Sequence, residues 1–305
     1  MQRDMTLRVA FAVFMSVLAT VGTATAQGRG RGPGKTVGTP AQSGSASAAP
    51  VALQPSSLFP QFGTWLDDAT TAAVGAGYIS MGASYWRGAN ADQVDAPIFG
   101  VTYGITNRAQ LSATVPFYRA TYEGFSGGGL DTIYISGKVA VVEPDTGNGR
   151  FGLAIGAAAE ILGARIVADV SRAHWIVPVS MEFRGAAFRV YGSTGYFSRG
   201  AFFAAGAFEW TVPTGTSVTA SLAHSASVHG VTAATIASVP RSSLRDASVF
   251  LSHPVSSTAS VFVGGSRTFS GTSIDGASSV SGGFSMRFAS PRTRTVAPAV
   301  NPVTP

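Results

Sequence analysis

The sequence predicts an all-β fold: an antiparallel, up-and-down transmembrane β-barrel of about twelve strands, flanked by disordered N- and C-terminal tails. Three observations carry this expectation. From about residue 70 to 288, apolar residues alternate with small or polar ones, which is the period of a strand and not of a helix. Charged residues make up only 12% of the 305-residue chain, about half of the ~25% usual in soluble domains. The runs are joined by connections that are short and long by turns, as in barrels that cross a membrane.

Residues 1–26 read as a secretory signal peptide. Arg3 and Arg8 form its basic start. Val9 to Val21 is apolar but too short to cross a ~30 Å hydrocarbon core as a helix. Ala24-Thr25-Ala26 supplies the small-residue cleavage pattern before Gln27. Residues 27–61 form a Gly/Pro/Ser-rich segment expected to be disordered, 62–288 the barrel, and 289–305 a second disordered tail. The best later candidate for a membrane helix, Phe151 to Ala164, is interrupted by Glu160.

The net charge of +6 belongs to the ends. Arg29, Arg31, Lys35, Arg292 and Arg294 lie in the tails, and between the tails 14 basic side chains face 14 acidic ones. A nucleic-acid binder gathers its basic residues on one face of a fold, so that class is excluded. Gly34-Lys35-Thr36 has Arg29 where a phosphate loop needs its first Gly, so no nucleotide cofactor is expected.

Strands are expected near 70–87, 95–106, 109–120, 131–142, 150–162, 174–184, 188–198, 202–212, 217–228, 245–255, 259–269 and 280–288. Most are 9–14 residues, the length of a tilted membrane strand rather than the ~5–6 of soluble sheets. Short turns fall at Asn107-Arg108, Glu143–Gly149, Gly185-Ala187, Pro213-Thr216 and Ser256-Thr258. Longer loops fall at 88–94, 121–130, 163–173, 229–244 and 270–279, and only 199–201 breaks the rule. Short turns face the periplasm in such barrels, and an even strand count puts both ends there.

Leu153, Ile155, Val115, Val177 and Val179 share the apolar phase and are assigned to lipid. The opposite phase, with Ser112, Thr114, Ser136, Ser180, Thr219 and Ser221, is assigned to the lumen. Its Ser, Thr, Gly and Ala would make a poor soluble exterior. Trp86, Tyr103, Phe117, Tyr118, Trp175, Trp210 and Phe288 fall near strand ends and read as interfacial girdles. Lumen phasing also gathers Glu182, Arg184, Arg189 and Glu209 near the periplasmic end, with Lys138 approaching the same level.

The last strand carries Ser281, Gly283, Met286 and Phe288 in a polar-x-Gly-x-x-apolar-x-aromatic pattern. It resembles the C-terminal strand signal that the outer-membrane barrel assembly machinery recognises, although 17 residues follow it. Gly63-Thr64-Trp65-Leu66-Asp67-Asp68, the run Phe99 to Arg108 and Leu111-Ser-Ala-Thr-Val-Pro116 resemble the bacterial outer-membrane barrel family named for the meta-pathway of phenol degradation. The resemblance is specific over 62–142 and general beyond. It implies an outer-membrane barrel and a channel for small molecules.

Catalytic and metal signals are few. With no Cys, thiol chemistry and Cys-ligated metals are excluded. His224 and His229 differ by five and so face opposite sides of a strand. His224, on the lipid phase, is the one candidate for a membrane-facing hydrolase, and no enzymatic activity is expected. The expected function is a porin-like passive channel for small solutes in the bacterial outer membrane. The alternative is a closed structural or surface-interaction barrel, and a plug drawn from residues 27–69 would favour it.

Overall fold

The structure, a computed structural model, describes residues 65–88, 91–122, 125–143, 150–163, 173–198, 200–227, 243–269 and 276–289, all within one compact unit. The expected signal peptide, the segment 27–61 and most of the C-terminal tail lie outside the described residues.

The strands are β1 (Ala76–Gly88), β2 (Ala91–Gly104), β3 (Ala109–Tyr122), β4 (Phe125–Leu130), β5 (Ile133–Val142), β6 (Arg150–Ile161) and β7 (Ala173–Arg184). They continue as β8 (Phe188–Phe197), β9 (Ala201–Thr211), β10 (Ser217–Ser227), β11 (Ser243–Pro254), β12 (Ala259–Thr268) and β13 (Ser278–Ala289). Apart from β4 and β5, each pairs antiparallel with its sequence neighbours, and β13 returns to pair with β1 from Ala76↔Ala289 to Arg87↔Ser278. Closure leaves no edge strand, as hydrocarbon demands of a backbone with no water to bond.

The thirteen segments make a twelve-stranded wall, because β4 and β5 are two halves of one strand. β3 pairs with β5 through Ala109–Thr114 and with β4 through Phe117–Tyr122. Asp131 and Thr132 form the irregularity between the halves, and the Asp131 N–H still donates to the Pro116 carbonyl at 2.9 Å.

The expected strands recur with ends shifted by a few residues, with three corrections. β1 begins at Ala76 rather than 70, because the residues before it lie inside the barrel. The loops expected at 88–94 and 121–130 are largely strand, with Gly88↔Ala91 and Tyr122↔Phe125 as the last pairs of two tight hairpins. Two aromatics leave the girdles. Trp86 shares the inward phase of Ser80 and Ser84 and packs with Ala91 and Ala277, and Tyr118 shares the phase of Thr114 and Ala120.

The phases otherwise follow the pattern. Ile155, Val177, Met181, Phe208 and Leu222 point outward and stay exposed, while Ala154, Ile176, Ser180 and Glu182 on the alternate phase are buried inside. Outward aromatics gather at both rims. At the end of the short turns, Tyr103 stacks on Phe288 with centroids 6.4 Å apart, and Phe188 meets Phe183 and Phe208 at 6.2 and 6.1 Å. At the other end, Tyr196 meets Trp175 and Phe202 at 5.8 and 4.9 Å.

On β13, Met286 and Phe288 face outward and Ser281 is buried inside. Gly283 lies where β1, β12 and β13 crowd together. A Cβ there would press into the Met81 carbonyl oxygen, the Gly82 Cα and the Phe262 ring, which explains the glycine.

Two outcomes follow from these placements. Ile155→Arg, on the lipid face, should lower refolding stability by ~2–4 kcal/mol in urea titrations into bilayers, and Ser221→Arg, on the lumen face, by clearly less. Gly283→Ala should cost ~1–3 kcal/mol by overpacking, read in the same titration.

Candidate functional site

The residues before β1 decide the character of the lumen. Trp65–Val74 runs inside the barrel rather than in its wall. Val74 bridges to Gly104 at the short-turn rim, and Gly75, at φ 72°, takes the left-handed conformation that lets the chain turn from the lumen into β1. From there the segment passes inward, so that Trp65 lies among Ala158, Ile176, Phe197 and Phe203, near the opposite strand ends. Ten extended residues reach at most ~33–36 Å, enough to traverse an apolar band of ~25 Å.

Polar contacts tie this segment to the wall at every level. The Thr71 hydroxyl donates to the Asn107 carbonyl at 3.0 Å, and the Ala72 N–H to Gln110 Oε1 at 2.8 Å. The Thr70 hydroxyl donates to Glu182 Oε2 at 2.6 Å and accepts from Arg184 Nη2 at 2.9 Å. Lys138 Nζ donates to Asp67 Oδ1 at 3.0 Å, to the Asp68 carbonyl at 3.0 Å and to Asp68 Oδ1 at 3.1 Å. Arg189 Nη1 donates to Asp68 Oδ2 at 2.9 Å. Farther in, the Asp67 N–H donates to the Ser193 hydroxyl, which itself donates to the Trp65 carbonyl. Leu66 packs with Tyr191, Ala205 and Ala207, and the Trp65 ring meets Tyr134 edge-on at 5.8 Å.

The wall contributes its own network. Arg189 grips Glu209 through Nη2 at 2.8 Å and Nε at 3.2 Å, with Thr219 donating to the same carboxylate at 3.3 Å. This is the register pair Arg189↔Glu209 of β8 and β9. Arg184 Nε donates to Glu182 Oε1 at 3.1 Å, and Arg189 Nη1 lies 3.6 Å from that oxygen. Glu182, Arg184, Arg189 and Glu209 therefore share one network. Lys138 does not touch the four directly. It joins them through Asp68, which bonds both Lys138 and Arg189.

Lys138 and Arg189 are each only 6% exposed, so their charges interact with little screening. Asp68 meets both cations, so its carboxylate is the bridge between them. A cavity of about 90 Å³ remains beside the segment, bounded by Asp68, Tyr78, Thr102, Gln110, Ser112 and Lys138 among others. Toward the outer end, the Gln93 amide donates to Asp95 at 2.7 Å and to Asp131 at 3.3 Å, and Tyr134 donates to Glu160 at 2.9 Å.

This arrangement holds carboxylates of the internal segment against cations of the wall. His224 faces outward opposite Ala204 and Arg245, with no hydroxyl at the paired positions to serve as a nucleophile. No group of three or more metal-ligating side chains occurs among the described residues. Sequence reasoning missed Trp65, Asp67, Asp68 and Thr70 as lumen residues. The available signal was an acidic pair behind a Trp-Leu dipeptide, immediately before the first strand and opposite a barrel poor in charge.

No protein-family profile matches the chain, and no curated protein matches it either. Solved structures do. An outer membrane channel from Pseudomonas putida F1 matches with a TM-score of 0.54 at 12% identity, covering 72% of this chain and 98% of that one. A KdgM porin and a NanC porin each match with a TM-score of 0.49, at 10% and 8% identity, over 68% of this chain and 99% and 98% of theirs. Likeness at this level concerns the fold: the chain has the fold of a bacterial outer-membrane β-barrel.

The lumen network should behave as a coupled unit. Arg189→Gln leaves Glu209 without its cation and takes one contact each from Glu182 and Asp68, so it should cost ~3–5 kcal/mol in thermal or urea unfolding. Arg189→Gln combined with Glu209→Gln should recover part of that loss, as a double-mutant cycle would show.

Proposed function

We propose that the chain is a porin-like passive channel for small solutes in the bacterial outer membrane, held shut in the described state by its own N-terminal segment. One observation carries this reading. Ten residues of chain run through the lumen and are joined to the wall by Gly75 and noncovalent bonds. Behind those residues, the lumen phase carries many Ser, Thr, Gly and Ala beside larger side chains such as Ile176, Tyr191, Phe197 and Phe203, and space opens there once the segment moves out.

The resemblance of Gly63–Asp68, Phe99–Arg108 and Leu111–Pro116 to the phenol meta-pathway barrel family supports a small-molecule channel. The amino-terminal signal pattern supports export, the outward apolar face supports a lipid surround, and the β13 pattern supports handling by the barrel assembly machinery. The reading is non-enzymatic. The second reading, a closed structural or surface-interaction barrel, is favoured by how many bonds fasten the segment in place.

Planar-bilayer recording separates the two. The intact mature chain should open rarely, and an internal deletion of Trp65–Val74 should conduct in steady steps. A silent deletion variant would establish the closed barrel. On whole cells, a tag placed within 230–237 should be labelled from outside and a tag at Thr214-Gly215 should not. The reverse pattern would overturn the orientation.

A further inference from the structure

Lys138 sits in the middle of β5 with its side chain turned into the lumen, yet the wall gives it no counter-ion among the described residues. All three of its hydrogen bonds go to Asp67 and Asp68 of the internal segment. An ammonium buried to this degree is costly unless an anion meets it, so the wall is complete only when something anionic occupies the lumen beside it. Arg189 shows the same division. Two of its nitrogens hold Glu209 on the neighbouring strand, and the third reaches across the lumen to Asp68.

We infer that Lys138 and Arg189 form an anion site for the solute, and that Asp67 and Asp68 occupy it as an internal stand-in for a small dicarboxylate. The inference rests on the channel reading and names the solute class and the gate of that same lumen. Two adjacent carboxylates docked on one ammonium and one guanidinium arm are the geometry that a short dicarboxylic acid would reproduce.

Four further observations point the same way. The cavity of about 90 Å³ reaches both Asp68 and Lys138, so a solute carboxylate can approach the ammonium from its flank before the segment has left. Among the described residues, the wall at this level carries Lys138, Arg184 and Arg189 against Glu182 and Glu209, an excess of one positive charge once the two aspartates withdraw. The carboxylates nearer the outer end, Asp95, Asp131 and Glu160, bond to Gln93 and Tyr134 and do not reach Lys138 or Arg189. Docking is also imperfect for the segment itself: Trp65 Nε1 is buried with no hydrogen-bond partner among the described residues.

The test is single-channel recording of the full mature chain with sodium succinate, sodium chloride at matched ionic strength, and the neutral solute erythritol. Succinate should raise the open probability about tenfold, the effect of relieving roughly one charge-assisted bond, while chloride and erythritol leave it unchanged. Asp67→Asn combined with Asp68→Asn alters only the segment and leaves the barrel wall intact. It should open without succinate and favour anions in its reversal potential. Lys138→Gln, checked for folding by heat-modifiable gel mobility, should lose the succinate response. Arg108→Gln, which removes a cation at an exposed turn, should keep it. Equal responses to succinate and erythritol would overturn the inference, and so would an Asn variant that conducts without anion preference. In both cases the channel reading survives. If the Asn variant and the deletion of Trp65–Val74 are both silent, the channel reading fails and this inference with it.

Discussion

The buried ammonium of Lys138 is the constraint on which the lumen depends. A lysine in the middle of a membrane strand can point into lipid, into water or toward a counter-charge, and the phase of β5 excludes the first. With the lumen occupied, water is displaced as well, and the chain must supply the anion. It does so from the residues just before β1, so the charge that needs neutralising draws ten residues of backbone into the barrel. The other contacts fall into place around that demand. Asp68 bridges to Arg189, Thr70 reaches Glu182 and Arg184, and Trp65 and Leu66 find apolar positions on β6 to β9.

The wall obeys a simpler rule with opposite solvents on its two faces. Outside, where hydrocarbon is the solvent, nothing is gained by covering Ile155 or Leu222, and both stay exposed. Inside, small side chains leave room for a strand-like segment that a lumen filled with large residues could not admit. Close packing inside is local. Phe262 fills the space over Gly283, Phe250 fills that over Gly264, and Trp86 packs with Ala277. The low charge content of the chain therefore concentrates its meaning. Among few charged side chains, most of the inward ones are committed to a single network.

Much of this was legible in the sequence because it rests on period two. Strand positions, the facing of Ile155 and Val177, and the sharing of one network by Glu182, Arg184, Arg189 and Glu209 follow from alternation and turn length alone. Trp86 and Tyr118 were misplaced because nearness to a strand end was weighed above phase, and phase decides direction. The extent of β2 and β4 was hidden for a different reason. Asp92, Gln93 and the Gly-rich Ser126–Gly129 look like loop residues, yet pairing with β1 and β3 overrides weak propensity. The internal segment was invisible to periodicity, since Trp65–Val74 has no repeat. What positions it is complementarity between residues about 70 and 120 apart in sequence, and no local pattern encodes that.

Whether such a segment is a fixture or a gate turns on the balance of its contacts. Ordering ten backbone residues costs about 10–20 kcal/mol. Against this stand the charge-assisted bonds to Lys138, Arg189, Glu182 and Arg184, each worth about 1.5–3 kcal/mol net, and the burial of Trp65 and Leu66 at about 1.5–3 kcal/mol apiece. The two sides are of the same order, so the charge-assisted bonds are a large part of what holds the docked state. The segment places its strongest contacts on charges, and the bonds it makes to Lys138 and Arg189 are ones that a charged solute can exchange. The segment's dependence on Lys138 makes it replaceable by another anion, and replaceability is what distinguishes a gate from a core.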